Sequence, residues 1–241
     1  MTNPNASMSL THHLSELRSR LISFTIFFTL FFIVCWFFSE NILNWIAQPI
    51  SPYLKQSEGH LIFTAPMDEF LAHIRVAFFG ALVLSFPIFI FHLWKFLSPG
   101  LYKKEKIFFI SLHIASTVLF FSGILFIYFI VYPLSFNFLM NVGSSMALIS
   151  VKEYLSFFIL TTLIFGLLFE TPLIILGLVW VGVLSIQQLK HSRRYAIVIL
   201  AVISAVVTPP DIISMIFLLL PLYLLYEMAI FTAGLLFSSK K

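Results

Sequence analysis

The sequence predicts an all-α integral membrane protein with six transmembrane helices, on three observations. Of 241 residues, 60% are hydrophobic and 10% charged, against about 45–50% and roughly 25% in a soluble domain. The apolar residues gather into long charge-poor runs, which at 1.5 Å per residue suit a hydrocarbon core of about 30 Å. The charges between the runs are sorted by sign from one connection to the next. The net charge of +4 is too modest to point to nucleic acid. Cys35, the only cysteine, offers neither an intrachain disulfide nor a CxxC pair. With no linker or repeat to divide it, the chain reads as a single polytopic membrane domain over 1–241.

Span one is placed at 21–38. Two arginines precede it as in a secretory signal, but the run ends in Cys-Trp-Phe-Phe without a small-residue cleavage site, so it reads as an uncleaved span. In the external segment 39–63, Ile42, Leu43, Trp45 and Ile46 alternate with Asn41, Asn44 and Gln48 up to Pro49, the pattern of a short interfacial helix. Thr64-Ala65-Pro66-Met67-Asp68-Glu69 reads as a helix start, with Pro in the first turn and two acids at the positive end of the dipole. Span two, 70–95, therefore begins outside the membrane. Span three covers 107–132. Span four, 154–184, is interrupted only by Glu170, and Pro172 should kink it. Span five, 195–208, is odd, because its apolar run from Tyr195 to Val207, 13 residues, reaches only roughly 20 Å. So short a helix must thin the bilayer, lean on its neighbours or end in a cavity. Span six is 212–237. A single re-entrant hairpin over 195–237 is the alternative, at the cost of placing Asp211 at a membrane-buried turn.

Six spans put 11 of the 14 basic residues on one face: Arg18, Arg20, Lys95, Lys103, Lys104, Lys106, Lys190, Arg193, Arg194, Lys240 and Lys241. By the positive-inside rule that face, with both termini, is cytoplasmic. The other face keeps Lys55, Arg75 and Lys152 but carries Glu40, Glu58, Asp68, Glu69, Glu153 and Asp211.

No GxxxxGK[ST], GxGxxG or HExxH string occurs, so neither nucleotide hydrolysis nor a zinc protease is supported. Ser85, Ser111, Ser116, Ser122 and Ser204 lack a Gly-rich nucleophile turn, and a membrane Ser commonly bonds its own helix backbone. His92 and His113 invite a metal or haem, but one His per helix suits packing better. Glu170 is the sharper signal. An ionised side chain near the bilayer centre costs at least about 2.5–3.5 kcal/mol, so it needs a partner or a proton and marks either an interhelical hydrogen bond or a binding or translocation role. Asp211 reads first as an N-cap of span six, and Glu227 as a structural acid that pairs with a cytoplasmic base. Glu16 and Glu105, the only acids among the cytoplasmic bases, read from composition alone as local ion pairs.

Four strings change that weighting. His13-Leu14-Ser15-Glu16-Leu17-Arg18-Ser19-Arg20, Ser98-Pro99-Gly100-Leu101-Tyr102-Lys103-Lys104-Glu105, Phe165-Gly166-Leu167-Leu168-Phe169-Glu170-Thr171-Pro172 and Thr208-Pro209-Pro210-Asp211 together resemble the TatC family, the largest subunit of the twin-arginine protein translocase. The resemblance implies a cup-shaped six-helix bundle with cytoplasmic termini and short fifth and sixth helices. It implies a signal-peptide receptor with no enzymatic activity and no cofactor, driven by the proton-motive force. The N-terminal segment and first cytoplasmic loop would recognise paired arginines on folded cargo through Glu16 and Glu105, beside Arg18, Phe96, Leu101 and Tyr102. Carboxylates suit that task, since guanidinium pairs with them bidentately where Lys cannot. Glu170, Pro172, Thr208 and Asp211 would serve the intramembrane partners and translocation, and Pro49 and Pro87 look like the family's structural prolines. The implied partners are TatA- and TatB-type single-span proteins, twin-arginine signal peptides, further copies of the chain and the bilayer, with no nucleic acid. The implied place is a bacterial inner (plasma) membrane, or alternatively an organellar membrane of bacterial descent. One departure is Met215, where some relatives place glutamine. The rival class is a proton-coupled small-solute transporter with Glu170 as relay and Pro172 as a helix break. It predicts a pseudo-repeat between chain halves that the sequence lacks.

Overall fold

The computed structural model describes residues 10–56, 59–97, 106–142, 148–207 and 212–237. Five helical stretches among them are long and apolar enough to cross a membrane: Leu17–Phe37, Asp68–Leu93, Ile110–Phe138, Val151–Trp180 and Leu218–Leu236. The expected fifth span is a helix of 15 residues, Arg193–Val207, about 22 Å long. The chain divides into two compact units, residues 1–42 with 73–117, and 43–72 with 118–241.

In the first unit, α1 (Leu10–Phe37) begins well before the apolar run, because hydropathy marks only the embedded part of a helix. Leu21, Ile26, Leu30, Ile33 and Phe37 stay exposed, a surface that only lipid or another apolar partner covers. Phe24 meets Phe89 and Phe28 meets Phe78 edge-on, joining α1 to α4 (Asp68–Leu97). Gly80 allows close approach there: a Cβ at that position would lie 2.8 Å from Cys35 Sγ. Arg20 donates to the His92 carbonyl at 3.3 Å. Pro87 sits inside α4, half-buried. The helix α5 (Lys106–Phe126) starts in this unit.

Segment 39–63 holds α2 (Ser39–Ala47), the expected amphipathic helix, and Pro49 is buried just after it. Pro66 falls in the turn before α4 and not in the first helical turn as expected. The start is fixed instead by Asp68, whose carboxylate accepts from the Thr64 and Ala65 amides at 3.1 and 2.8 Å and from the Thr64 hydroxyl at 2.8 Å. Three short elements have no forecast in the hydropathy. They are α3 (Ser51–Gln56) and the strands β1 (His60–Ile62) and β2 (Leu148–Ser150), which pair in parallel with His60 opposite Leu148. Three residues are too few to display a period of two.

In the second unit, span three does not stop at Tyr132. A π turn, Ile127–Val131, closed by the Tyr132 amide on the Ile127 carbonyl, leads into α6 (Tyr132–Val142). The wider turn makes room for Pro133, whose ring would clash with the carbonyl four residues back in a regular helix. Span four is α7 (Val151–Phe169) and α8 (Thr171–Trp180), broken at Glu170. It ends four residues earlier than expected because Gly182 takes φ +83°. The Val183 and Gly182 amides bond the Leu178 and Val179 carbonyls at 2.9 and 3.1 Å, a Schellman closure. A further helix, α9 (Ile186–His191), opens with a reciprocal capping box between Ser185 and Gln188. Then come α10 (Arg193–Val207) and α11 (Ile212–Phe237), the latter at its expected bounds and with Pro221 inside. Thr208, Pro209, Pro210 and Asp211 lie outside the described residues, so the expected Asp211 cap does too.

Candidate functional site

The break in span four is built from local rules. Pro172 has no amide hydrogen, so the Leu168 carbonyl loses its donor from that position. Thr171 supplies one, with its hydroxyl 2.6 Å from that oxygen. The chain tightens as the Glu170 amide bonds the Leu167 carbonyl at 3.1 Å. The Glu170 carbonyl then accepts from Leu173 and Ile174, both at 3.0 Å, and helix resumes. Glu170 sits at this joint with 7% of its surface exposed, and Pro172 beside it is buried.

The turn below is held rigidly. A Cβ on Gly166 would come within 2.5 Å of the Phe120 ring, and one on Gly123 within 2.8 Å of the Phe165 carbonyl and 2.9 Å of the Phe169 ring. Gly123 therefore lets the α5 backbone touch that of α7, and Gly166 leaves room for the Phe120 ring, the role small residues play between membrane helices. Phe126 stacks on Phe165 and packs tilted against Phe169, 6.3 and 5.6 Å between ring centroids. Two turns from Glu170 toward the N-terminus of α7, the fully buried Tyr132 hydroxyl meets Thr161 Oγ1 at 2.6 Å and Thr162 Oγ1 at 2.8 Å, and donates to the Phe158 carbonyl at 2.9 Å. The roles of Thr171, of the Tyr132 cluster and of the two glycines are not evident from the sequence. The paired threonines in an apolar run were the available signal.

The other expected residues fall as follows. Glu16 and Phe96 lie in α1 and α4, with side chains outside the described set, and Arg18 is exposed on α1. Leu101, Tyr102, Glu105 and Thr208 lie outside the described residues altogether. Met215 is half-buried on α11. Glu227 has a basic partner, as expected: Arg193 donates to Oε2 at 2.8 Å while the Tyr223 hydroxyl donates to Oε1 at 2.8 Å. His92 and His113 share the ring of Phe91, edge-on at 5.7 and 5.8 Å. No third metal-ligating side chain joins such a group among the described residues. Ser85, Ser122 and Ser204 donate to Leu82, Leu119 and Leu200 carbonyls of their own helices, at 3.1, 2.7 and 2.7 Å.

Five helical stretches long and apolar enough to cross a membrane, one of them broken at a buried carboxylate, define a polytopic helical membrane protein. The family model for Sec-independent protein translocase protein (TatC) matches residues 12–221. The chain is 35% identical to Sec-independent protein translocase protein TatC of Desulforapulum autotrophicum, over 100% of this chain and 89% of that one. It is 38% identical to the TatC protein of Magnetococcus marinus, over 92% and 82%. A crystal structure of the twin-arginine translocase receptor TatC superposes with a TM-score of 0.77 at 35% identity, covering 92% of this chain and 98% of that one. The chain belongs to the TatC family. It has the fold of that family and is a component of a Sec-independent protein translocase, a non-catalytic transport machine, so the solute-carrier and protease readings fall away.

Proposed function

We propose that this chain is the receptor core of a twin-arginine translocation system in a bacterial inner membrane, its 241 residues acting as one membrane domain with both termini in the cytoplasm. Glu16 and Glu105 pair with the two arginines of a signal peptide. Phe96, Leu101 and Tyr102 border the site and give the signal sequence apolar contact, with Arg18 beside them. Two carboxylates on a strongly basic face create the only local attraction for a basic ligand, and their geometry selects arginine over lysine. Glu170, set at its break by Pro172, acts with Thr208 and Asp211 where single-span partners of the TatA and TatB type and further copies of the chain assemble. The chain holds no phosphate-binding loop, and the proton-motive force drives export.

The observation that carries this reading is the family match over residues 12–221, which contains Phe96 and all four of the strings that hold the other named residues. The test is complementation in a bacterium lacking its own copy. A folded reporter with a twin-arginine signal should reach the far side of the membrane with the wild-type chain. It should fail with Glu105→Gln or Glu16→Gln at equal protein level, while a Sec-dependent reporter is unaffected. Normal twin-arginine export by both variants would overturn the site.

A further inference from the structure

We propose that the corner between α9 and α10 is a binding site for the phosphate headgroup of an anionic phospholipid, held by Lys190 and Arg194 beside Tyr195. Helix α10 has 15 residues, about 22 Å against a core of about 30 Å, so headgroups must be drawn in toward its ends. Arg193 and Arg194 open this helix, at the positive pole of its dipole, where cations are unfavourable and an anion is stabilised. Lys190, in the last turn of α9 beside His191, adds to the same positive field. All four are exposed.

Glu227 relieves only one of them, through its 2.8 Å pair with Arg193. Among the described residues no carboxylate pairs with Lys190, His191 or Arg194. Arg194 is held outward: its guanidinium lies 4.8 Å from the centre of the Tyr195 ring and donates to the Tyr195 hydroxyl at 3.1 Å. An exposed tyrosine of this kind belongs at headgroup depth. The turn that leads into α9 exposes Val181 and Val183, apolar surface of the sort acyl chains cover. The corner is fixed in place, because Tyr226 of α11 donates to the Leu189 carbonyl at 2.9 Å. Two exposed cations four residues apart, with no carboxylate partner among the described residues and with exposed apolar residues close by in the chain, are the combination that a phosphodiester headgroup fits.

The test is native mass spectrometry of the full chain in detergent, titrated with dioleoylphosphatidylglycerol or dioleoylphosphatidylcholine. The variants are Lys190→Gln/Arg194→Gln and, with the same charge loss elsewhere, Lys240→Gln/Lys241→Gln. The expected result is retention of phosphatidylglycerol over phosphatidylcholine, an affinity loss of about thirty-fold in the first variant, and no more than about two-fold in the second. Equal losses in both variants would reduce the effect to net charge and overturn the site. So would unchanged binding in the first variant, or displacement of the lipid by inorganic phosphate, which would make the corner a free-anion site.

Discussion

Pro172 takes one hydrogen bond out of span four, and Thr171 returns one to the same carbonyl at 2.6 Å. The acid at the joint therefore sits in a backbone whose polar groups are satisfied, which hydrocarbon demands. Replacing Thr171 by Val keeps the shape and removes the donor, and an unsatisfied buried carbonyl costs about 1–3 kcal/mol. Thermal unfolding in detergent should show that loss, and Thr171→Ser should restore most of it. Gly166→Ala probes the turn below. Its methyl group meets the Phe120 ring at 2.5 Å, and overpacking of this kind costs about 1–3 kcal/mol. A lowered unfolding midpoint is the expected reading, with partial rescue by Phe120→Leu.

The amphipathic helix α2 shows the same economy on the scale of an element. Its last carbonyls have no partner within the helix, and tyrosines from two spans supply donors. The Tyr128 hydroxyl reaches the Trp45 carbonyl at 2.8 Å, and Tyr154 reaches that of Ile46 at 2.6 Å. Tyr128 also lies flat on Trp45, 4.2 Å between ring centroids and 7° between planes. Tyr128→Phe and Tyr154→Phe should each weaken the attachment by about 1 kcal/mol. Amide exchange in α2 should accelerate in both while that in α7 holds, and a protected α2 in the double variant would contradict the clamp. The helices themselves were legible because embedded apolar runs and their breakers are local: α11 was placed at its bounds, and Pro172 announced the break. What was not legible depends on partners distant in the chain. The π turn before Pro133 and the pairing of β1 with β2 leave no periodicity to read. Gly182 and the Ser185–Gln188 capping box were local signals, and reading them would have ended span four at Trp180.

On the scale of the whole molecule, the sorting of charge is what the sequence reveals best and what packing cannot supply. Eleven of 14 basic residues fall on one expected face with Glu16 and Glu105. Composition alone assigned those two acids to local ion pairs, and only the strings around them suggested a receptor. Glu170 was legible by itself, since an acid inside an apolar run is costly wherever it points. Its supports, Thr171 and the Gly123–Gly166 crossing, became visible only once α5 lay against α7. Glu170→Gln should leave folding and signal-peptide binding intact while reducing export in cells. Loss of binding together with export would show that the residue acts on the receptor face and not in the membrane.

The receptor reading meets its most direct test in the binding of a labelled twin-arginine signal peptide to the purified chain in detergent, beside the twin-lysine peptide and the Glu105→Gln protein. Selective binding of the arginine peptide, lost with either change in a protein that still unfolds cooperatively at the wild-type temperature, is the predicted result. Equal binding of the two peptides, or normal binding by the folded Glu105→Gln chain, would contradict it.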